Sequence, residues 1–205
     1  MIIGKPLAGK DTQADLLVTA HPKEATKISP GQLIREVQKD REQHRFWPIM
    51  GPYISMMEKG LKLPDVPTLE MIDHVIAEKL SEGKTLLVIA GSPRGLYQLA
   101  EFQEMVKKYE ADTVFAHIDV TDEETYKRSA GRKEGRVDDT PEIHAIRLDE
   151  YRAHVLPVVD ALTQDARYVH LDGMMPQDVL HRQVENELYS RMRDREITLP
   201  AMARR

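Results

Sequence analysis

Residues 4–13 read GKPLAGKDTQ, two glycines five positions apart with a lysine directly after the second. A turn of that kind points several backbone N–H groups at one spot, and the lysine adds a full positive charge. The ligand this suits is a phosphate: Gly4 and Gly9 shape the loop, and Lys10 reaches the outer phosphates. The plainer reading is a glycine turn that caps a helix. A strand before the loop and a helix after it favour the phosphate reading, because the helix N-terminus adds a favourable field. Further along stand Arg35, Arg94, Arg132, Arg136 and Arg147. Any one of them alone is an ordinary solvated charge. Cations of this type beside such a loop would balance the negative charge of bound phosphate groups. Arginine fits that task because its planar fork binds two phosphate oxygens at once.

These groups need elements to hold them. Residues 1–3, 25–29, 85–90, 113–120 and 166–171 are short apolar runs that read as strands. Between them, helical periodicity predicts helices over 10–19, 31–40, 65–80, 95–109, 140–162 and 176–192, with one more after Thr121 or Asp122, either of which can cap it. Strands alternating with helices predict an α/β protein with a five-stranded parallel sheet in a three-layer α/β/α arrangement. Segment 30–64 holds little strand and reads as a helical insert or as part of the core. Residues 131–139 form a turn-rich break, and 193–205 are expected to be a flexible tail.

The chain has 205 residues, enough for one sizeable core. Its net charge of −5 argues against broad nucleic-acid or membrane-surface binding. It has no cysteine, which excludes disulfides and a thiolate zinc site. No apolar run approaches the length of a membrane span. The expectation is a cytoplasmic protein with neither nucleic-acid nor membrane partners.

Several stretches occur in an order that resembles the adenylate kinase family of nucleoside monophosphate kinases. They are GKPLAGKDTQ (4–13), SPGQLIR (29–35), AGSPRGLYQ (90–98), Gly131-Arg132, RVDDTPEIHAIR (136–147) and LDGMMP (171–176). The resemblance runs from Met1 to about Leu188 and implies one kinase domain over 1–192. Its core would be 1–29, 65–131 and 140–192, with a monophosphate-binding insert at 30–64 and a short lid at 132–139. It implies that Gly4, Gly9, Lys10, Asp11, Thr12, Arg132 and Met175 bind ATP. It places Ser29, Gly31, Arg35, Gly91, Arg94 and Gln98 on AMP, with Gln98 reading the adenine; the alternative for Gln98 is an exposed helix residue. Lys10, Arg94, Arg132, Arg136 and Arg147 are the implied catalytic cations. Asp138 and Asp139 either pair with the lid arginines or cap the helix after them, where Glu142 would complete a capping box with Asp139. The reaction implied is MgATP + AMP = 2 ADP, in a monomer.

The loop also departs from the family pattern. Leu7 stands where the family has glycine, which is costly if that position needs positive φ. Pro30 replaces a threonine on the adenine side. Gln32 and Ala90 replace aspartates near the magnesium, and Asp11 replaces a glycine. Asp11 is open to three accounts: decay of the site, a helix cap or partner of Lys10, or a relocated magnesium contact. Six retained cations would repel one another without an anion, which favours a working enzyme. The alternatives are a pyrimidine (UMP/CMP) monophosphate kinase and a nucleotide-binding protein without catalysis.

Overall fold

The apolar runs pair as parallel strands. In the computed structural model, which describes residues 1–131 and 140–193, these are β1 (Ile2–Gly4), β2 (Ala25–Ile28), β3 (Leu86–Ile89), β4 (Phe115–Asp119) and β5 (Tyr168–Asp172). They form two ladders, β1-β4-β5 and β2-β3. The single five-stranded sheet expected from the sequence is thus corrected to five parallel strands in two sheets. One parallel bridge, Ile2 to Ala90, joins the two, and the Gly91 N–H donates to the Ile2 carbonyl at 2.9 Å. The break has a local cause: β1 is three residues long because its chain turns into the glycine loop at Gly4.

In space the order is β2-β3-β1-β4-β5. The chain leaves β1 outward to β2, returns through β3, and crosses to β4 on the other side. The strand order therefore reverses between β3 and β1. A crevice opens outside the carboxyl ends of strands at such a point, and ligands of open α/β sheets bind there.

The helices are α1 (Lys10–Ala20), α2 (Pro30–Asp40), α3 (Trp47–Met50), α4 (Ile54–Glu58), α5 (Asp65–Ser81), α6 (Leu96–Lys108), α7 (Asp122–Ala130), α8 (Pro141–Glu150), α9 (Leu156–Leu162) and α10 (Gln177–Arg193). One face of the strands is covered by α1 and α10, where Ala14, Leu17, Leu180 and Val184 pack on Ile2, Ile118 and Leu171. The other face is covered by α5, α6 and α9, where Phe102 meets Ile28 and Ile89, and Val158 and Leu162 meet Ile3 and Phe115. The layering is α/β/α, as the sequence predicts. Segment 30–64 is helical, and Ile34, Val37 and Met50 pack in the same cluster as α5.

Two helix details sharpen the sequence reading. Thr121 caps α7 by accepting the Glu124 N–H at 3.2 Å. The helix expected over 140–162 is interrupted by a π turn at Tyr151–Val155. Pro157 supplies the reason: it has no N–H for the Ala153 carbonyl and its ring crowds that group, so the backbone widens just before it. The cap of α8 is Thr140, which accepts the Ile143 N–H at 3.3 Å; Asp138 and Asp139 lie outside the described residues.

Gly4 fixes where the loop leaves the strands. A Cβ built there would sit 2.3 Å from the Ile118 carbonyl oxygen, so no larger residue fits without moving β1 away from β4. Gly4→Ala is expected to destabilise the fold by about 3 kcal/mol, the cost of forced overpacking at a rigid contact. Urea unfolding at constant m-value checks it.

Candidate active site

The crevice at the strand reversal gathers residues that lie far apart in the sequence. The loop after β1 runs from Gly4 to Gly9, and Gly9 turns into α1 in the left-handed conformation with φ 95°. Lys10 opens that helix. Its Nζ donates back to the Lys5 carbonyl at 2.5 Å, folding the side chain over the loop. Arg94 follows β3. Its Nε donates to the Gly91 carbonyl at 2.8 Å, and its backbone N–H donates to Gln98 Oε1 at 2.7 Å. A Cβ added at Gly91 would lie 3.5 Å from Arg94 Nη2 and 3.8 Å from Lys10 Cε. Both cations thus lie beside Gly91, whose φ of 86° favours glycine there. Arg147, on α8, lines the same crevice with Arg94, Pro6, Lys62, Glu150 and Tyr151.

This concentration of charge shows in the acid–base behaviour. Burial, reinforced by Arg94, pushes the Lys10 ammonium down to about 8, against a smaller opposing pull from Asp11. Burial and then Arg147 push Arg94 below its ordinary range, while Asp11 and Glu150 act the other way. Arg94 keeps its surface open to the crevice although protein surrounds it. Among the described residues Lys10 and Arg94 lean on backbone carbonyls, and a phosphate would supply the anion.

The other predicted residues fall into place as follows. Ser29 is the buried N-cap residue of α2, Pro30 follows at the first helical position, and Arg35 lies one turn on with its Nη1 3.5 Å from where a Gly31 Cβ would be. Gln98 is not an exposed helix residue: it is 1% exposed. Its Oε1 takes the Arg94 N–H and its Nε2 donates to Asp65 Oδ1 at 2.9 Å, so the two partners fix the orientation of the amide. Met175 is exposed in the loop after β5. Arg132 and Arg136 lie outside the described residues.

Asp11 does not cap α1, whose N-cap Gly9 receives no side-chain bond. Its ion-pair partner is Lys27, at 3.9 Å, rather than Lys10, and Lys27 sits closer to Asp15, at 2.6 Å. The Asp11 side chain is 54% exposed at the first turn of α1, next to the exposed Thr12. Hard oxygen donors at this place suit magnesium that arrives with a polyphosphate, since that ion takes one or two carboxylates and fills its shell with phosphate and water. Among the described residues no group of three or more His, Asp or Glu side chains forms a separate metal site.

Leu7 has φ 61°. The expected conflict is therefore present: a branched side chain occupies the left-handed region, at a cost of roughly 1–2 kcal/mol. Its carbonyl accepts from Arg128 Nη1 at 3.3 Å, and Arg128 Nη2 reaches the Gly173 carbonyl at 2.8 Å. Arg128 thereby ties the phosphate loop to the loop that carries Met175.

Sequence reasoning passed over Arg128, Lys62, Glu150 and Tyr151. Lys62 donates through its backbone to Glu150 at 2.9 Å and through Nζ to Asp65 at 2.5 Å. Tyr151 opens the π turn, and its hydroxyl meets His117 Nε2 at 3.1 Å on β4; His117 Nδ1 meets the Tyr168 hydroxyl at 2.9 Å. Burial pushes His117 down to about 4, so it stays neutral and anchors the π turn beside Arg147. In the sequence these residues read as ordinary surface or core positions.

Comparison with known proteins agrees with the geometry. The family model described as adenylate kinase matches residues 2–167. The chain is similar to an adenylate kinase of Parabacteroides distasonis, 30% identical over 179 residues that cover 85% of this chain and 88% of that one. It is 31% identical over 198 residues to the adenylate kinase of Methylobacterium nodulans, covering 90% and 93%. It is 26% identical over 193 residues to adenylate kinase 1 of a Nostoc species, covering 93% and 98%.

The Lys10 environment gives a prediction about pH. Its folded value of about 8 lies below the ordinary 10.5, so the folded state disfavours its protonation. That penalty applies in full below pH 8 and is relieved as the pH rises toward 10.5. A bound polyphosphate raises the value again. ATP binding should therefore take up a fraction of a proton near pH 8.5 and weaken as pH rises further. Calorimetry in buffers of different ionisation enthalpy measures the uptake; none at that pH rejects the assignment of Lys10 to phosphate.

Proposed function

The chain belongs to the adenylate kinase family, and on that premise we propose that it transfers the γ-phosphoryl group of MgATP to AMP, giving two ADP. The observation that carries the reading is the position of Arg94, which lies beside Gly91 with Lys10 on one side and on the other lines a crevice with Arg147 and with Pro6 of the glycine loop. The pyrimidine alternative finds no support in the relatives, which are named adenylate kinases.

The transfer leaves the protein little covalent work. The loop N–H groups and Lys10 hold the outer phosphates of ATP. Arg94 holds the AMP phosphate, whose oxygen attacks the γ-phosphorus as the bond to the leaving ADP oxygen breaks. Arg147 balances the charge on the moving group, together with Arg132 and Arg136 of the proposed lid at 132–139. No covalent intermediate forms. The proposed insert at 30–64 supplies Ser29, at its edge, with Gly31 and Arg35 on the AMP side. Gln98 offers adenine its second amide hydrogen and second lone pair, the first of each being engaged. Met175 and Thr12 lie on the ATP side. Asp11 is the residue that would hold magnesium, and the ion when bound neutralises phosphate charge. The groups named here come from one chain, in keeping with a monomer, and the proposed compartment is the cytoplasm.

A turnover panel with AMP, UMP, CMP, GMP and dUMP, with and without magnesium, tests the reading; AMP should be the preferred acceptor and magnesium should be required. Arg94→Ala is expected to lower AMP-dependent turnover about 10²- to 10³-fold, the scale for losing one preorganised charge contact, while ATP still binds. Survival of full activity would show that Arg94 is wrongly placed. Asp11→Gly should raise the magnesium concentration for half-maximal turnover about tenfold. An unchanged magnesium titration would remove Asp11 from the metal.

A further inference from the structure

The phosphate loop keeps a leucine at φ 61°. Residues held in such conformations persist where the surroundings over-determine them. The braces on this loop come from outside it, and the strongest is at Lys5. Lys5 Nζ donates to the Val120 carbonyl at 2.7 Å and pairs with Asp122 Oδ1 at 2.9 Å, at the junction of β4 and α7. Its side chain is 19% exposed. Asp122 is held in turn by Arg152, whose other nitrogen donates to Asp149 of α8 at 2.6 Å. The Lys5 hydrogen bond, helped by Arg152, holds the Asp122 carboxyl below the usual carboxylate range, which keeps the pair charged.

The backbone of the same residue serves the site. The Lys5 carbonyl is the acceptor for Lys10 Nζ at 2.5 Å. A continuous chain of contacts therefore runs from Arg152 and Asp122 through the Lys5 side chain to its carbonyl and on to Lys10. Leu7 lies between Lys5 and Lys10, and Arg128 holds its carbonyl at 3.3 Å. Lys5 has its charge matched by Asp122, so it does not add to the repulsion among Lys10, Arg94 and Arg147.

We propose that Lys5 is a positioning residue: pinned on Asp122 and the Val120 carbonyl, it holds the leucine-bearing loop in its phosphate-cradling shape and sets the seat of Lys10. The proposal rests on the reading of this loop as the ATP phosphate site. A glycine at position 7 would accept the same backbone without strain and would make the brace largely dispensable.

The test is a set of double-mutant cycles on the full chain, read by calorimetric binding of ATP and by the separate KM values for ATP and AMP. Lys5→Met and Asp122→Asn should each weaken ATP binding about tenfold, with the KM for AMP little changed. In a Leu7→Gly background the same substitutions should cost about twofold or less. Lys5→Arg, which keeps the pair with Asp122, should restore most of the affinity; thermal unfolding checks that each variant is folded. Equal losses in both backgrounds would overturn the proposal. So would tighter ATP binding in Asp122→Asn beside weaker binding in Lys5→Met, since that pattern makes Lys5 a direct phosphate ligand. Because the readout is ATP binding, the result is independent of which monophosphate accepts the phosphoryl group: a failed acceptor assignment shows in the turnover panel, and a failed brace shows in the cycles.

Discussion

Positive charge held close together is the constraint around which this structure is arranged. Lys10, Arg94 and Arg147 approach one another at the crevice, and burial makes Lys10 and Arg94 harder to keep charged. At Lys10 and Arg94 the protein offsets this with fixed dipoles. Lys10 leans on the Lys5 carbonyl and Arg94 on the Gly91 carbonyl. A carbonyl steadies a cation without neutralising it, so the charge remains for a phosphate. Carboxylates such as Glu150 and Asp11 act on Arg94 from a distance. Such preorganisation places the electrostatic cost in folding and spares the reaction a reorganisation step.

The same constraint accounts for the bracing around the crevice. The loop must present its N–H groups while repelled cations sit beside it, so it is tied to β4 by Lys5, to the loop after β5 by Arg128, and to Ile118 by the close approach of Gly4. Segment 60–65 is tied on the other side. Lys62 bonds Glu150 and Asp65, and Asp65 steadies Gln98, which holds the backbone of Arg94. Gln98 thus has a positional role in addition to the base contact that family resemblance gives it. The Tyr151–His117–Tyr168 series adds a third anchor, from β4 to the helix that presents Arg147. His117 suits that place because a neutral imidazole has one donor and one acceptor for two hydroxyls.

Much of this was legible in residue types. The alternation of apolar runs with helical periodicity identified five strands and the helices between them, since apolar runs of this length are buried as strands of a parallel sheet. The glycine spacing before Lys10 identified the phosphate loop, because few other turns need two glycines and a cation. Leu7 could be marked as a conflict, because an L side chain has one price at positive φ wherever it occurs. Less legible was anything set by partners distant in the chain. The break of the sheet into two ladders depends on how short β1 is: it pairs with β4 over three residues and meets the β3 side at one bridge, Ile2 to Ala90. The π turn depends on where Pro157 falls relative to the anchor at Tyr151.

The sequence by itself determined the fold class, which follows from local periodicity, and marked the glycine loop by its residue chemistry; the set of cations came as candidates through resemblance to the adenylate kinase family. Only the tertiary structure decided what each charge leans on. It paired Asp11 with Lys27 rather than Lys10, buried both ends of the Gln98 amide, and set Lys5 against Asp122 as a brace. The physical reason is that an ion pair or hydrogen bond depends on distances of a few ångströms between residues more than a hundred positions apart in some cases. No local pattern in the chain encodes those distances; the packing of β1 against β4 and of α8 over the crevice does.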